Sequence, residues 1–317
     1  MTRRLRAESG QALVVSVLFM VVLIGGVALT LDVGSWFREH RQAQTTADAA
    51  ALSAAQLLPT TNTTTAKAAA QTYADSNGGG IDTVNGISFA SSTGGALADT
   101  VTVHVTRTAP GFFSKLFSVD STLVHAHATA RSSIPIDVRW AAPIVVNKLH
   151  PKLAGAGCPC FGAANETTLP LGKTGAPGAF ALVNLDDSIN GAVGASTVGD
   201  WIQRGFNAYL PLGDYVSDPG AKWNDKPIQD ALQLRWNSEL LFPVYDTLIG
   251  SGSNAEYHII GWVGFHLESD DAGAPVTGGG VSGSITGYFT QVIWDGIESS
   301  TSTPGSDFGV RTVALVN

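Results

Sequence analysis

Hydrophobic positions follow two unlike regimes along the chain. From Ser9 to Leu31 no residue is charged, and residues 12–31 (ALVVSVLFMVVLIGGVALTL) are apolar apart from Ser16, Thr30 and a pair of glycines. About 20 residues rising ~1.5 Å each match the ~30 Å hydrocarbon core of a bilayer, so this run predicts one membrane-spanning helix. Residues 36–57 hold no Gly or Pro and are rich in alanine, and the first proline is Pro59. The helix is therefore expected to leave the membrane as one rod over residues 12–57, roughly 70 Å long at ~1.5 Å per residue, with the shape of a pilin-like stalk. On a helical wheel Trp36, Ala43, Ala47, Ala50 and Ala54 form a narrow stripe, with Arg41 and Asp48 on another face. We expect this stripe to pack against a partner protein. Gly26, Thr30 and Gly34 recur at four-residue spacing on one face, a pattern that lets a second transmembrane helix approach closely. Small residues also fill membrane helices without such a role.

Beyond the rod the period changes. Residues 60–65 are a polar linker, and residues 66–75 (AKAAAQTYAD) read as a short helix ending at Asn77 and Gly78, Gly79 and Gly80. Val101, Val103 and Val105 alternate with Thr102, His104 and Thr106, and Val124, Ala126, Ala128 and Ala130 alternate with His125, His127 and Thr129. Alternation with period two predicts half-buried antiparallel strands. From Ile134 the chain becomes richer in Gly, Pro and Trp. Residues 149–178 read as loop, strand-like runs fall at 180–185, 257–267, 285–294 and 310–316, and helical candidates at 198–207 and 226–237. The expected class is α+β: a transmembrane and stalk helix (1–58), a small α+β domain (59–133), and a mainly β exported domain (134–317).

Charge sets the orientation. Arg3, Arg4 and Arg6 precede the span and the first cations after it are Arg38 and Arg41, so the positive-inside rule favours a cytoplasmic N-terminus and an exported body. The apolar core is longer than that of a cleaved signal peptide, and no clear small-x-small site follows it, so the anchor is expected to stay uncleaved. Asp32 falls at the expected outer boundary, where a carboxylate costs far less than at the midplane. The net charge of -8, with no Lys/Arg cluster after the first residues, argues against a nucleic-acid partner. The only cysteines, Cys158 and Cys160, leave no multi-bridge framework, although in an oxidising compartment they can close a short loop on each other.

The N-terminal pattern resembles that of the TadE/TadG-like proteins of Tad/Flp pilus assembly. The resemblance rests on Arg4, residues 8–12 (ESGQA), the apolar span, Asp32 with Gly34, residues 41–44 (RQAQ) and residues 47–52 (ADAAAL). It continues through the 101–106 strand, Pro110, Phe112, Phe113, residues 115–117 (KLF) and residues 126–130 (AHATA), covering about residues 3–131. It implies an inner-membrane component, facing the periplasm or wall, of the machine that builds an adhesive Flp-type pilus, working beside minor pseudopilins. One position departs from the pattern. TadE-like pseudopilins carry a glutamate five residues after the glycine that precedes the span, and here that place after Gly10 holds Val15.

Candidate chemistry is sparse. Asp186, Asp187, Ser188 and Asn190 resemble the metal loop of von Willebrand A domains, but the last position is Asn, further ligands are not evident, and a polar turn after a strand explains the same letters. Gly278, Gly280 and Gly283 match a dinucleotide-loop spacing, yet alternating residues follow instead of a helix, so no phosphate cradle is expected. His104, His125 and His127 would share one exposed sheet face if their strands are neighbours, a geometry that imidazole–metal sites use, although exposed strand histidines without a metal are commoner. No nucleophile motif is present. Tyr209, Tyr215, Trp223, Trp236, Tyr257, Trp262, Tyr288 and Trp294 supply either a core or a shallow protein- or glycan-binding surface. We expect no enzyme, cofactor or metal, and two partners: the lipid bilayer and other pilus-assembly proteins. The alternative is a membrane-tethered adhesion module.

Overall fold

The computed structural model describes residues 9–171, 181–186, 192–218, 222–251, 255–268, 284–298 and 306–316. Tertiary contacts divide the chain into two compact units, Met1–Ser132 with Val313–Asn317, and Ser133–Thr312.

The first unit is built on α1 (Ser9–Ala55), a single helix of 47 residues. Its halves behave differently. Only 6 % of its most apolar stretch is buried within the molecule, whereas Ala43, Ala47, Ala50 and Ala54 are fully buried. What covers the second half is α2 (Thr64–Ser76), which presents Ala66, Ala70 and Ala74 one turn apart, and a sheet. The end of α2 follows from its glycines: Gly78 and Gly79 take positive φ, the Gly79 N–H bonds back to the Ala74 carbonyl at 2.8 Å, and the helix stops. The Asn77 carbonyl accepts from Thr46 Oγ1 at 2.8 Å and Gln42 Nε2 at 3.1 Å, which ties that end to α1.

The sheet is the meander β1 (Ile87–Ala90), β2 (Thr100–Pro110) and β3 (Ser121–Ser133), antiparallel throughout. The β2–β3 register runs from Thr100 opposite Arg131 to Pro110 opposite Ser121. Because side chains alternate across a strand, Val101, Val103, Val105, Ala126, Ala128 and Ala130 all face the helices and enter their core. The chain returns here at its end, where the closing residues of the last strand lie beside β3.

The second unit is mainly β. Its elements are β4 (Pro135–Val138), β5 (Val146–Asn147), α3 (Pro151–Ala154), β6 (Thr167–Pro170), α4 (Ala195–Arg204), β7 (Leu210–Pro211), β8 (Gly213–Val216), α5 (Lys226–Leu234), β9 (Ser238–Ile249), β10 (Glu256–Leu267), β11 (Ser284–Thr290), β12 (Val292–Ile293), β13 (Gly296–Glu298) and the first residues of β14 (Val310–Val316), whose part from Val313 onward belongs to the first unit. One sheet runs β5-β9-β10-β11-β6, with β8 also on β10, and a smaller one runs β13-β4-β7. The core is aromatic: Trp223, Trp262, Tyr257, Phe242, Phe265 and Phe289 are almost wholly buried. Phe265 stacks with Phe242 at 5.4 Å and meets Phe289 edge-on at 5.5 Å, both favoured ring geometries. The helices α4 and α5 come together at Gly199, where a Cβ would lie 2.6 Å from the Pro227 carbonyl oxygen, so a side chain there is excluded. A buried Asp218 carboxylate accepts from Lys222 Nζ at 2.6 and 2.8 Å and from the Val193 N–H at 2.9 Å, which satisfies the charge.

Several expectations change. Over 180–185, residues 181–185 form no strand; Leu182 and Val183 make only isolated bridges to Ile144 and Ser217, and Phe180 lies outside the described residues. The 149–178 stretch contains α3 and β6. The central strand β9 was not among the expected strands. Its buried run over 240–245 carries Pro243, opposite Trp262, and proline argues against a central strand because it cannot donate to a ladder. Among the described residues its other side carries the two-residue β5, starting at Val244, and a single bond from the Ala142 N–H to the Leu241 carbonyl at 2.8 Å. Cys158 and Cys160 are bridged.

Candidate functional site

The apolar half of α1 is the first candidate surface. Leu18, Met20, Val22, Leu29 and Leu31 all stand more than half exposed, a state that costs too much in water for a run of this length. A helix of this composition in the core of a soluble protein would be covered. Gly26 and Gly34 have nothing within 4 Å of an added Cβ, and Thr30 is exposed with its hydroxyl bonded to the Val27 carbonyl at 2.7 Å. The backbone along this face is therefore open.

The alanine stripe has a different fate. Ala43, Ala47, Ala50 and Ala54, read from the sequence as a surface for another protein, lie in the chain's own core against α2 and the sheet. That correction has a plain cause: alanine on a helix permits close packing but carries no sign of whether the neighbour is the same chain. Trp36 is half-buried beside the stripe and is not one of the core residues.

Between the two halves sits Asp32, only 3 % exposed. Helical side chains slant toward the N-terminus, so its carboxylate lies over the preceding, apolar turn. There it meets the tip of the β2–β3 hairpin. Oδ1 accepts the Phe112 N–H at 2.7 Å, Oδ2 accepts the Ser114 N–H at 2.6 Å, and both oxygens are within reach of the Phe113 N–H at 3.2 and 3.1 Å. Ser35 Oγ reaches the Pro110 carbonyl at 3.2 Å from one turn further along. These contacts join residues some 80 positions apart. Sequence reasoning placed Asp32 at the membrane boundary but missed its partner; the available signal was a turn made of Phe112, Phe113, Leu116 and Phe117, too apolar for an ordinary loop.

Other candidates resolve as follows. His104 and His127 pair across β2 and β3 and stack at 5.6 Å, while His125 Nδ1 lies 2.8 Å from Thr106 Oγ1. Among the described residues no group of three or more His, Cys, Asp or Glu is arranged to hold a metal. Residues 187–190 of the acidic turn and the glycines at 278, 280 and 283 lie outside the described residues. Of the aromatic set, Tyr215, Trp223, Tyr257 and Trp262 are core. Trp236, Tyr288 and Trp294 are half-buried. Tyr209 is exposed, and the Arg139 guanidinium lies 5.4 Å from its ring and 4.8 Å from that of the exposed Trp140.

No curated protein and no solved structure matches the chain. The N-terminal stretch does have a counterpart: residues 10–57, which run from the exposed apolar half of α1 through its buried alanine half, match the family described as putative Flp pilus-assembly TadE/G-like, and over that stretch the chain is similar to those proteins.

Proposed function

We propose that the protein is a non-enzymatic inner-membrane component of a Tad/Flp-type pilus assembly or secretion apparatus. It is anchored by α1, with its N-terminus in the cytoplasm and both folded units outside. The observation that carries this reading is the continuity of α1. One helix passes without interruption from an uncovered apolar stretch into the core of a folded unit, within a segment similar to a pilus-assembly family. Removing the apolar half at its outer end would cut the helix that unit is built on, which supports an uncleaved anchor. Gly26, Thr30 and Gly34 then offer a second transmembrane helix a face on which backbones approach closely. The test combines topology and company. Cysteines near Arg3 should stay protected from an impermeant label in intact cells while Leu97 reacts, and purification in mild detergent should recover other pilus-machine proteins. Labelling near Arg3 from outside would overturn the orientation.

A second reading, a membrane-tethered adhesion module, draws on the Arg139, Trp140 and Tyr209 patch, since exposed rings beside a fixed guanidinium suit a sugar or peptide ligand. It is favoured if no machine protein is recovered and glycan-array binding is lost on Tyr209→Ala.

A further inference from the structure

The tip of the β2–β3 hairpin combines features that do not belong in water. Leu116 and Phe117 are 84 % and 82 % exposed, and Phe112 is more than half exposed as well. Leu116 and Phe117 belong to a short 3-10 turn, Ser114–Phe117, and Phe112 to the residues just before it, whose N–H groups Asp32 pins against α1. The pinning point lies at the outer end of the uncharged span. From there the tip reaches back along the helix: Phe113 closes an open concavity of about 320 Å³ lined otherwise only by Met20, Leu23, Ile24 and Val27. On a helix rising ~1.5 Å per residue, those positions lie between about 7 and 18 Å on the apolar side of Asp32. The exposed apolar surface of the tip is thus continuous with that of the anchor.

Most backbone donors of the tip are paired within the molecule. Lipid cannot satisfy an N–H group, so any irregular segment that enters it must pair its donors internally. The donors of Phe112, Phe113 and Ser114 go to Asp32. The Gly111 N–H bonds to the Asp120 carbonyl at 2.9 Å and the Val119 N–H to the Ser114 carbonyl at 3.1 Å, while Leu116 and Ser118 each donate one turn back at 3.0 Å. The only charged side chain in residues 111–119 is Lys115, whose long stem lets the ammonium reach lipid headgroups. In water the N–H groups of Phe112, Phe113 and Ser114 could bond to solvent and would not need a buried carboxylate to accept them.

We propose that residues 111–119 form a second membrane-inserted element. Phe112, Phe113, Leu116 and Phe117 lie in the outer-leaflet hydrocarbon beside α1, and Asp32 is the clamp that holds the hairpin at that depth. The consequence is mechanical. A single helix can rotate and tilt in a bilayer, whereas a helix with a wedge fixed to its side presents one azimuth, so the small-residue face of Gly26, Thr30 and Gly34 keeps a set direction. This rests on the reading of α1 as a membrane span.

The experiment uses the full chain with Cys158→Ser and Cys160→Ser, reconstituted into phosphatidylethanolamine–phosphatidylglycerol vesicles containing a lipid with a nitroxide high on its acyl chain. Single cysteines at Leu116 or Phe117 carry an environment-sensitive fluorophore. Leu29 on α1 and Leu97, in the connection that leads into β2, are references, all four being well exposed so that labelling spares the fold. Labels at 116 and 117 should emit to the blue and be quenched like Leu29, about threefold or more above Leu97. Quenching at Leu29 with none at 116 and 117 overturns the proposal alone, and a blue shift without quenching assigns the tip to a protein contact and overturns it too. Absence of quenching at Leu29 removes the anchor reading itself. In Asp32→Ala, quenching at 117 should fall toward the Leu97 level while Leu29 is unchanged; an unaltered signal at 117 overturns the clamp.

Discussion

In the first unit the buried faces of α1 and α2 are alanines set against valines and alanines of β2 and β3, whereas the second unit is filled by Trp223, Trp262, Tyr257, Phe242, Phe265 and Phe289. Both exclude water, but they do so by different geometry. Alanine contributes little area per residue, so the first core depends on close approach of backbones over a long helix. Rings contribute large areas at fixed angles, so the second core depends on volume. The first should therefore resist truncation and fail on added bulk, and the second should do the reverse.

Removing volume from the aromatic core gives the largest expected effect. Trp262→Ala should destabilise the second unit by about 3–5 kcal/mol, the usual cost of deleting a buried ring. Denaturant unfolding in detergent, followed by tryptophan fluorescence, measures that unit almost alone, since of the 7 tryptophans only Trp36 lies in the first. Hydrogen exchange over α2 should not change. A loss of protection in both units together would contradict the independence of the two cores.

Adding volume to the alanine core comes next. Leucine is nearly as good a helix former as alanine, so Ala47→Leu leaves local propensity intact. With Ala47 fully buried, the larger side chain must push α1 from its neighbours, at about 1–3 kcal/mol, read as faster exchange in α2 and β2. Thr45→Leu on the exposed face of the same helix should stay within about 0.5 kcal/mol of the parent. If Ala47→Leu were equally silent, close approach would not be what holds the first unit.

The bridge between Cys158 and Cys160 closes so short a loop that it restricts the unfolded chain little. On a chain-entropy estimate the double serine variant should lose no more than about 2 kcal/mol, measured by the same fluorescence transition. The last effect is one of pH. Burial, and secondarily the Lys152 cation, hold His150 below its ordinary pKa of 6.5, so the unfolded chain takes up a proton first as pH falls. Stability is then complete above 6.5 and declines as pH drops through it toward the folded value. His150 Nδ1 accepts the Lys152 N–H at 3.2 Å, a bond that an asparagine oxygen can also accept. His150→Asn should therefore keep the α3 cap yet show a smaller drop in melting temperature between about pH 7.5 and 5.5.

Features that depend on neighbours along the chain were readable without coordinates. The spanning length of α1, the stop of α2 at its glycines and the alternation of β2 and β3 each follow from local rules: transfer of an uncharged run, a residue that tolerates positive φ, and side chains alternating across a strand. Only the tertiary structure decided what lies against what. Ala47 carries the same letter whether its neighbour is α2 or another protein, and Asp32 carries the same letter whether its carboxylate meets water or the N–H groups of Phe112 and Ser114. Pro243 belongs to a central strand because a two-residue β5 starts just beyond it, which nothing near Pro243 records. Pairings across such distances are selected by the surface and donors they satisfy once the chain has closed on itself, and they leave no period in the sequence.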